Sequence, residues 1–164
     1  MQPADPSNLP PSLARFLSLW ESKRAGRRMP ARRDFTYEDL WPWMGRLNLI
    51  AVEGGEGRFL VFSETSTRVY GREMTGKTMA AFEPPSLAAA AIDAHRALIA
   101  GGGVAMSTRV VGPFENRELQ WTRLATPLSD DGLRIDRYFA ALHFDELRLA
   151  APTGIHALQG AATR

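Results

Sequence analysis

Between residues 71 and 78 the chain reads Gly-Arg-Glu-Met-Thr-Gly-Lys-Thr, and the residues on either side restrict what the chain can fold into. By letter this is G-x-x-x-x-G-K-[ST], the pattern of a phosphate-cradling loop. Such a loop needs a buried strand running in and a helix running out, because the free N–H groups and positive dipole end at the helix start hold the phosphates. The run in is Glu64-Thr65-Ser66-Thr67-Arg68-Val69-Tyr70, too polar for a buried parallel strand, which reads as a nearly continuous apolar run. On the way out, Met79-Ala80-Ala81-Phe82-Glu83 meets Pro84-Pro85, so a helix begun at Lys77 ends within about two turns. Glu73 would also set a carboxylate beside the phosphates. The nearest apolar strand that ends in a magnesium-binding Asp, residues 139–145, is interrupted by His143. The flanks favour a glycine-punctuated turn; a nucleotide-binding protein using Gly71 to Thr78, with Lys77 and Thr78 on the phosphates, is the alternative.

A chain of 164 residues fits one domain with enough length to bury a core. Apolar runs stay well short of the roughly 18–20 residues that span a bilayer. Met1-Gln2-Pro3-Ala4-Asp5-Pro6 has neither a charged start nor an apolar segment, so no signal peptide is read and a cytoplasmic location is expected. There is no cysteine, which excludes disulfides, thiolate catalysis, iron–sulfur clusters, Cys-based zinc and cysteinyl–flavin adducts together. His95, His143 and His156 form no metal-ligand spacing. Six basic residues (Lys23, Arg24, Arg27, Arg28, Arg32 and Arg33) fall within eleven positions. Phosphates of nucleic acid could meet such a patch, but no aromatics are interleaved for base stacking, so it reads as a solvated connector.

Along the chain, residues 1–11 are rich in Pro and polar groups and are expected to be disordered. A helix over 12–25 follows, with Ser12 as N-cap and Leu13, Phe16, Leu17 and Trp20 at i, i+3, i+4 and i+7. Residues 34–40 read as a short capped helix stopped by Pro42. Residues 47–53 and 58–63 form a hairpin across Gly54-Gly55-Glu56-Gly57. A short helical segment through Val69 and Tyr70 leads to the Gly71–Gly76 turn, and residues 86–100 form an Ala-rich helix closed by three glycines. Three more strands, 104–111, 118–128 and 135–144, complete the body, and 147–164 reads as a flexible tail. Runs of strands without alternating helices give an α+β protein: one five-stranded antiparallel sheet with helices over one face.

This order resembles that of a PAS domain, and particular residues carry the resemblance. Tyr70-Gly71-Arg72-Glu73-Met74-Thr75-Gly76-Lys77 is similar to the PAS pattern of aromatic–Gly, acidic, apolar, then Gly–Lys. Phe82-Glu83-Pro84 stands where PAS domains carry apolar–x–Pro before the long helix, and Pro127 to Gly132 resembles their last hairpin. More specifically, Trp20, Met29-Pro30-Ala31-Arg32, Asp34-Phe35, Asp39-Leu40, Arg58-Phe59 and Arg123-Leu124 resemble a family of small stand-alone bacterial PAS proteins, over residues 12–146. Ser63-Glu64 departs from it, standing where that family often has Gly–Thr.

The resemblance implies a non-catalytic sensory or signalling module, which binds a small ligand, a protein partner or both. A ligand would sit between the sheet and the short helices. By alternation Phe59 and Val61 share one face, as do Leu119 and Trp121, with Tyr70, Met74, Met79 and Phe82 closing the other side; the same side chains could instead simply fill the core. The axial histidine of haem-binding PAS domains lies earlier in the long helix than His95, which speaks against haem; noncovalent flavin has no support in the residues. Leu13, Phe16, Leu17 and Trp20, ahead of a basic connector, are expected to anchor a homodimer. A further alternative is a small α+β-barrel enzyme of isomerase or hydratase kind, built on His143 with Asp145.

Overall fold

The computed structural model describes residues 2–3, 5–114 and 117–146, and the side chains of 2–3, 6, 110–119 and 145–146 fall outside that description. The expected tail, 147–164, also lies outside the described residues.

The sheet begins with the hairpin. Leu47 to Val52 is rich in apolar and branched residues that suit a half-buried pleated surface, and it forms β2 (Leu47–Glu53) against β3 (Glu56–Val61). Gly54 and Gly55 link them with φ of 58° and 86°, the two positive values a tight two-residue hairpin loop requires. After the helical section come β4 (Ala105–Phe114), β5 (Arg117–Leu128) and β6 (Arg137–Glu146). A two-residue β1 (Gln2–Pro3) adds to the edge of β4 at Met106 and Ala105, and the sheet order is β1-β4-β5-β6-β2-β3, antiparallel throughout. The β5–β6 connection is pinned by Asp131. Its carboxylate accepts from the backbone N–H of Leu133 (2.8 Å) and Arg134 (3.1 Å) and from Ser129 Oγ (2.9 Å), and those bonds pull its pKa down to about 2.

Alternation sends Leu47, Leu49, Leu124, Phe139 and Ala141 to one face and Ile50, Ala125, Tyr138 and Ala140 to the other. Both faces are covered. Over the second lie α3 (Glu64–Tyr70), a single 3₁₀ turn at Met79–Ala81 and α4 (Pro85–Gly101). Over the first lies α1 (Pro11–Arg24), with the segment through α2 (Tyr37–Leu40) beside it.

That placement corrects two expectations. Residues 5–10 are part of the fold: Asp5 accepts from Ser7, Pro6–Asn8 makes a 3₁₀ turn, and Leu9 is buried in the core. The stripe on α1 is spent within the chain, not held out for a partner. Leu13, Phe16 and Trp20 are buried against Leu124, Leu128 and Phe139, and Leu17 packs partly buried at their edge. Trp20 Nε1 donates to the Pro127 carbonyl at 2.9 Å, and Phe16 sets its ring edge-on to Trp43 and Phe139 at 5.1 and 5.8 Å. The connector is short enough to bring the helix back because Met29, Pro30 and Ala31 are themselves buried and Ser129 N–H donates to the Pro30 carbonyl at 3.0 Å. The basic cluster is engaged as well: Lys23 pairs with Asp39, Arg24 with Glu21, Arg27 with Asp34 and Arg33 with Asp130.

Candidate functional site

Between the second sheet face and the helical layer lies a cavity of about 40 Å³. Phe59, Tyr70, Met79, Phe82 and Trp121 wall it, five of the eight residues expected to do so. Met74 is fully buried in the same cluster without reaching the cavity. Leu119 has its side chain outside the described residues. Val61 is a correction. The pairing shifts between Leu49 and Ile50, so Phe59 faces Ile50 while Val61 faces Leu49. This β-bulge adds one residue to β3 and reverses the alternation beyond it; Val61 is therefore exposed on the opposite face, 46% accessible.

Three polar wall residues were not picked out for the site in the sequence. Arg109 on β4 stands opposite Trp121, and Arg123 follows Trp121 by two on β5, so all three share the cavity face. The Arg123 guanidinium lies 5.7 Å over the Trp121 ring, and Arg109 Nη2 donates to the Ala90 carbonyl of α4 at 3.3 Å. Burial works against the charge of Arg123 and lowers its pKa. Burial also raises the pKa of Tyr70, partly offset by Arg123 and Arg109. The third is Asn48, whose amide joins Ser63 and Ser66 in a buried network that caps α3 and so fixes Tyr70 at the rim.

His95 lies away from this cavity. Its Nδ1 meets the Tyr138 hydroxyl at 3.1 Å, and burial lowers its pKa. Gly57 lets β3 approach it: a Cβ there would fall 2.9 Å from Met79 Cε and 3.0 Å from His95 Nδ1. His143 belongs to the other face, where its Nδ1 meets Ser12 Oγ of α1 at 2.9 Å. The side chain of Asp145 is outside the described residues. The sheet is open, with β1 and β3 at its edges, so a barrel enclosing a His143–Asp145 pair is not what this chain builds.

The Gly71–Thr78 stretch does not have the geometry of a phosphate loop. It leaves α3, not a strand, and runs beside the edge of β3. Gly76 N–H donates to the Phe59 carbonyl at 2.7 Å, Phe59 N–H to the Lys77 carbonyl at 3.0 Å, and Arg58 Nη1 to the Gly76 carbonyl at 2.8 Å. Glu73 already accepts from Thr75 N–H at 2.7 Å and Thr67 Oγ1 at 3.1 Å, and only a three-residue turn follows Thr78. Lys77 is exposed and its Nζ donates to the Glu73 carbonyl at 3.1 Å. Lys77→Ala is expected to change stability by less than about 0.5 kcal/mol, and magnesium–ATP to leave the Tm of both proteins where it was. A rise in Tm with ATP that disappears in the variant would restore the nucleotide reading.

No protein family matches the chain, and neither does any curated protein. Solved structures similar to it include two protein domains. The PAS domain of Bordetella pertussis BvgS is 19% identical with a TM-score of 0.49, covering 62% of this chain and 79% of that one. A domain of an HTR-like protein from Haloarcula marismortui is 14% identical with a TM-score of 0.43, covering 60% and 97%. Independently of those scores, a hairpin, short helices, one longer helix and three strands join in a single antiparallel sheet, the order the sequence resemblance implied. The fold is PAS-like. The cavity of this PAS-like chain opens where the resemblance implied a ligand would sit, between sheet and short helices. Among the described residues no helix is long and apolar enough to cross a membrane.

Proposed function

We propose that this chain is a non-catalytic sensory module that binds a small ligand between its sheet and helical layer and passes the bound state to a protein partner. The observation that carries the reading is the cavity itself. Seven aromatic and Met side chains line it, yet about 40 Å³ stays open, room for roughly three waters, where a core of this composition would be expected to pack shut. A protein contact is supported by a second feature: Tyr37, Trp41, Met44 and Val61 are exposed near one another beside a groove of about 390 Å³ that Tyr37, Met44 and Val61 line. With the α1 stripe buried, a homodimer would need a surface of this kind.

Native mass spectrometry of protein purified from its own host is expected to show a non-covalent adduct that is lost on unfolding. Ala91→Met, which extends into the cavity from α4, is expected to lose the adduct while keeping or raising Tm, by up to about 1–2 kcal/mol of added stability. A bare mass from the host, together with a stabilised Ala91→Met protein, would make the cavity a packing imperfection and end the ligand reading.

A further inference from the structure

We propose that His95 is a proton-operated latch, which ties α4 to the β2–β3 hairpin when neutral and releases the hairpin when it takes up a proton. The inference goes beyond the ligand reading and does not depend on it. His95 stands in the second half of α4 and is only 2% exposed. Three other elements meet its ring. From β6 the buried Tyr138 hydroxyl reaches Nδ1. From β3 comes Gly57, where the ring and Met79 of the 3₁₀ turn leave no room for a Cβ. Nε2 is buried and makes no well-formed hydrogen bond among the described residues. A second cavity, of about 60 Å³, adjoins the ring; Gly55 and Thr78 line it, and so do Glu56 and Arg96, both exposed, which gives a proton a short route from solvent. In either tautomer the neutral ring makes do with its bond to Tyr138. The imidazolium carries an N–H on both nitrogens, so it needs the Tyr138 oxygen as one acceptor and a second acceptor at Nε2. Water supplies that second acceptor once the hairpin moves off.

The groups around the ring agree with that geometry. Burial is the largest influence and lowers the His95 pKa from its ordinary 6.5; the Gly55 backbone partly opposes it, while Arg123 on β5 and Arg96 on α4 add to it. Tyr138 is held neutral, its pKa raised by burial. Glu56 on the hairpin and Asp93 on α4 are exposed, and no carboxylate among the described residues is bonded to the ring. β3 is an edge strand, so the hairpin end can lift from α4 without parting the central strands. With the hairpin lifted, the ring returns to its ordinary range. The closed form then has the lower pKa, and the open form binds the proton first as pH falls. The latch is held above about pH 6.5 and loosens from there down to the closed-form pKa, by up to about tenfold per pH unit for one proton.

Hydrogen exchange of the full chain, read by mass spectrometry from about pH 7.5 to about pH 5.5 and corrected for the intrinsic rate, tests this. Protection of residues 52–58 and 94–101 is expected to fall about tenfold over that range, while 120–128 and 138–142 keep theirs. The His95 ring, followed by NMR in the same protein, should titrate below pH 6.5. His95→Asn keeps an amide that can meet the Tyr138 hydroxyl and takes up no proton, so its exchange should lose the pH response. Should that variant fail to fold, the wild-type measurements decide alone. Unchanged protection of the hairpin, or a His95 ring that titrates at pH 6.5 or above, would overturn the latch. So would a full pH response in folded His95→Asn. Protection lost evenly from every strand would overturn it too, since proton uptake would then unfold the whole chain and not the hairpin alone.

Discussion

A chain lacking residues 1–25 is expected not to reach a native state at room temperature. The deletion removes Leu13, Phe16 and Trp20 from the core and uncovers Leu124, Leu128 and Phe139 on the sheet. Truncating one buried Phe or Trp costs about 3–5 kcal/mol and one Leu about 2–5, whereas a domain of this size has about 5–15 kcal/mol in all. Losing the three together takes away most or all of that margin. Trp20→Ala alone should lower the unfolding free energy by about 3–5 kcal/mol. Trp20→Phe should cost less, since it keeps an aromatic ring and loses mainly the bond from Nε1 to the Pro127 carbonyl. Equilibrium urea unfolding measures the point variants, and size exclusion with circular dichroism reports on the deletion. A deletion protein that melts cooperatively at the full-length Tm would show that α1 is an appendage and would return its stripe to a partner.

Spacing alone shows that Leu13, Phe16, Leu17 and Trp20 form one apolar stripe, but what covers a stripe depends on where the chain goes next. Met29-Pro30-Ala31 turn it back on the sheet, and nothing in the helix itself announces that. The hairpin was legible because its signals are local: branched apolar runs on both sides of Gly54-Gly55 define β2 and β3 to within two residues. The bulge that exposes Val61 was not, since Arg58 to Ser63 reads as an unbroken alternation and the extra residue appears only through pairing with β2. The same limit hid the two arginines. Arg109 and Arg123 are far apart along the chain and become neighbours only through the β4–β5 register. The Gly71–Thr78 stretch went the other way: its flanks were informative enough to reject its letters, and the strand-edge bonds of Gly76 and Lys77 give the physical reason.

Asn48→Leu is expected to cost about 2–4 kcal/mol, although Leu is the better strand residue. Asn48 Oδ1 accepts from Ser63 N–H at 2.7 Å and from Ser66 Oγ at 3.1 Å, and Nδ2 donates to Ser66 Oγ at 3.0 Å. Ser63 caps α3 by accepting from Ser66 N–H at 3.3 Å. All three residues are buried, with Ser66 fully so. Leucine would leave the Ser63 N–H without an acceptor out of reach of water, at about 1–3 kcal/mol, and would strip Ser66 of its amide partner while its hydroxyl could still turn to Ser63 Oγ at 2.9 Å. Ser66→Ala alone removes one hydroxyl and should cost about 1 kcal/mol. The double variant should cost clearly less than the two added together, because both act on one network. Since this cap fixes α3 and with it Tyr70 at the cavity rim, the non-covalent adduct of host-purified protein should be weakened along with stability in Asn48→Leu. Additive losses, or a change below about 0.5 kcal/mol in Asn48→Leu, would mean that α3 is held by its apolar contacts and that the cavity rim does not depend on this network.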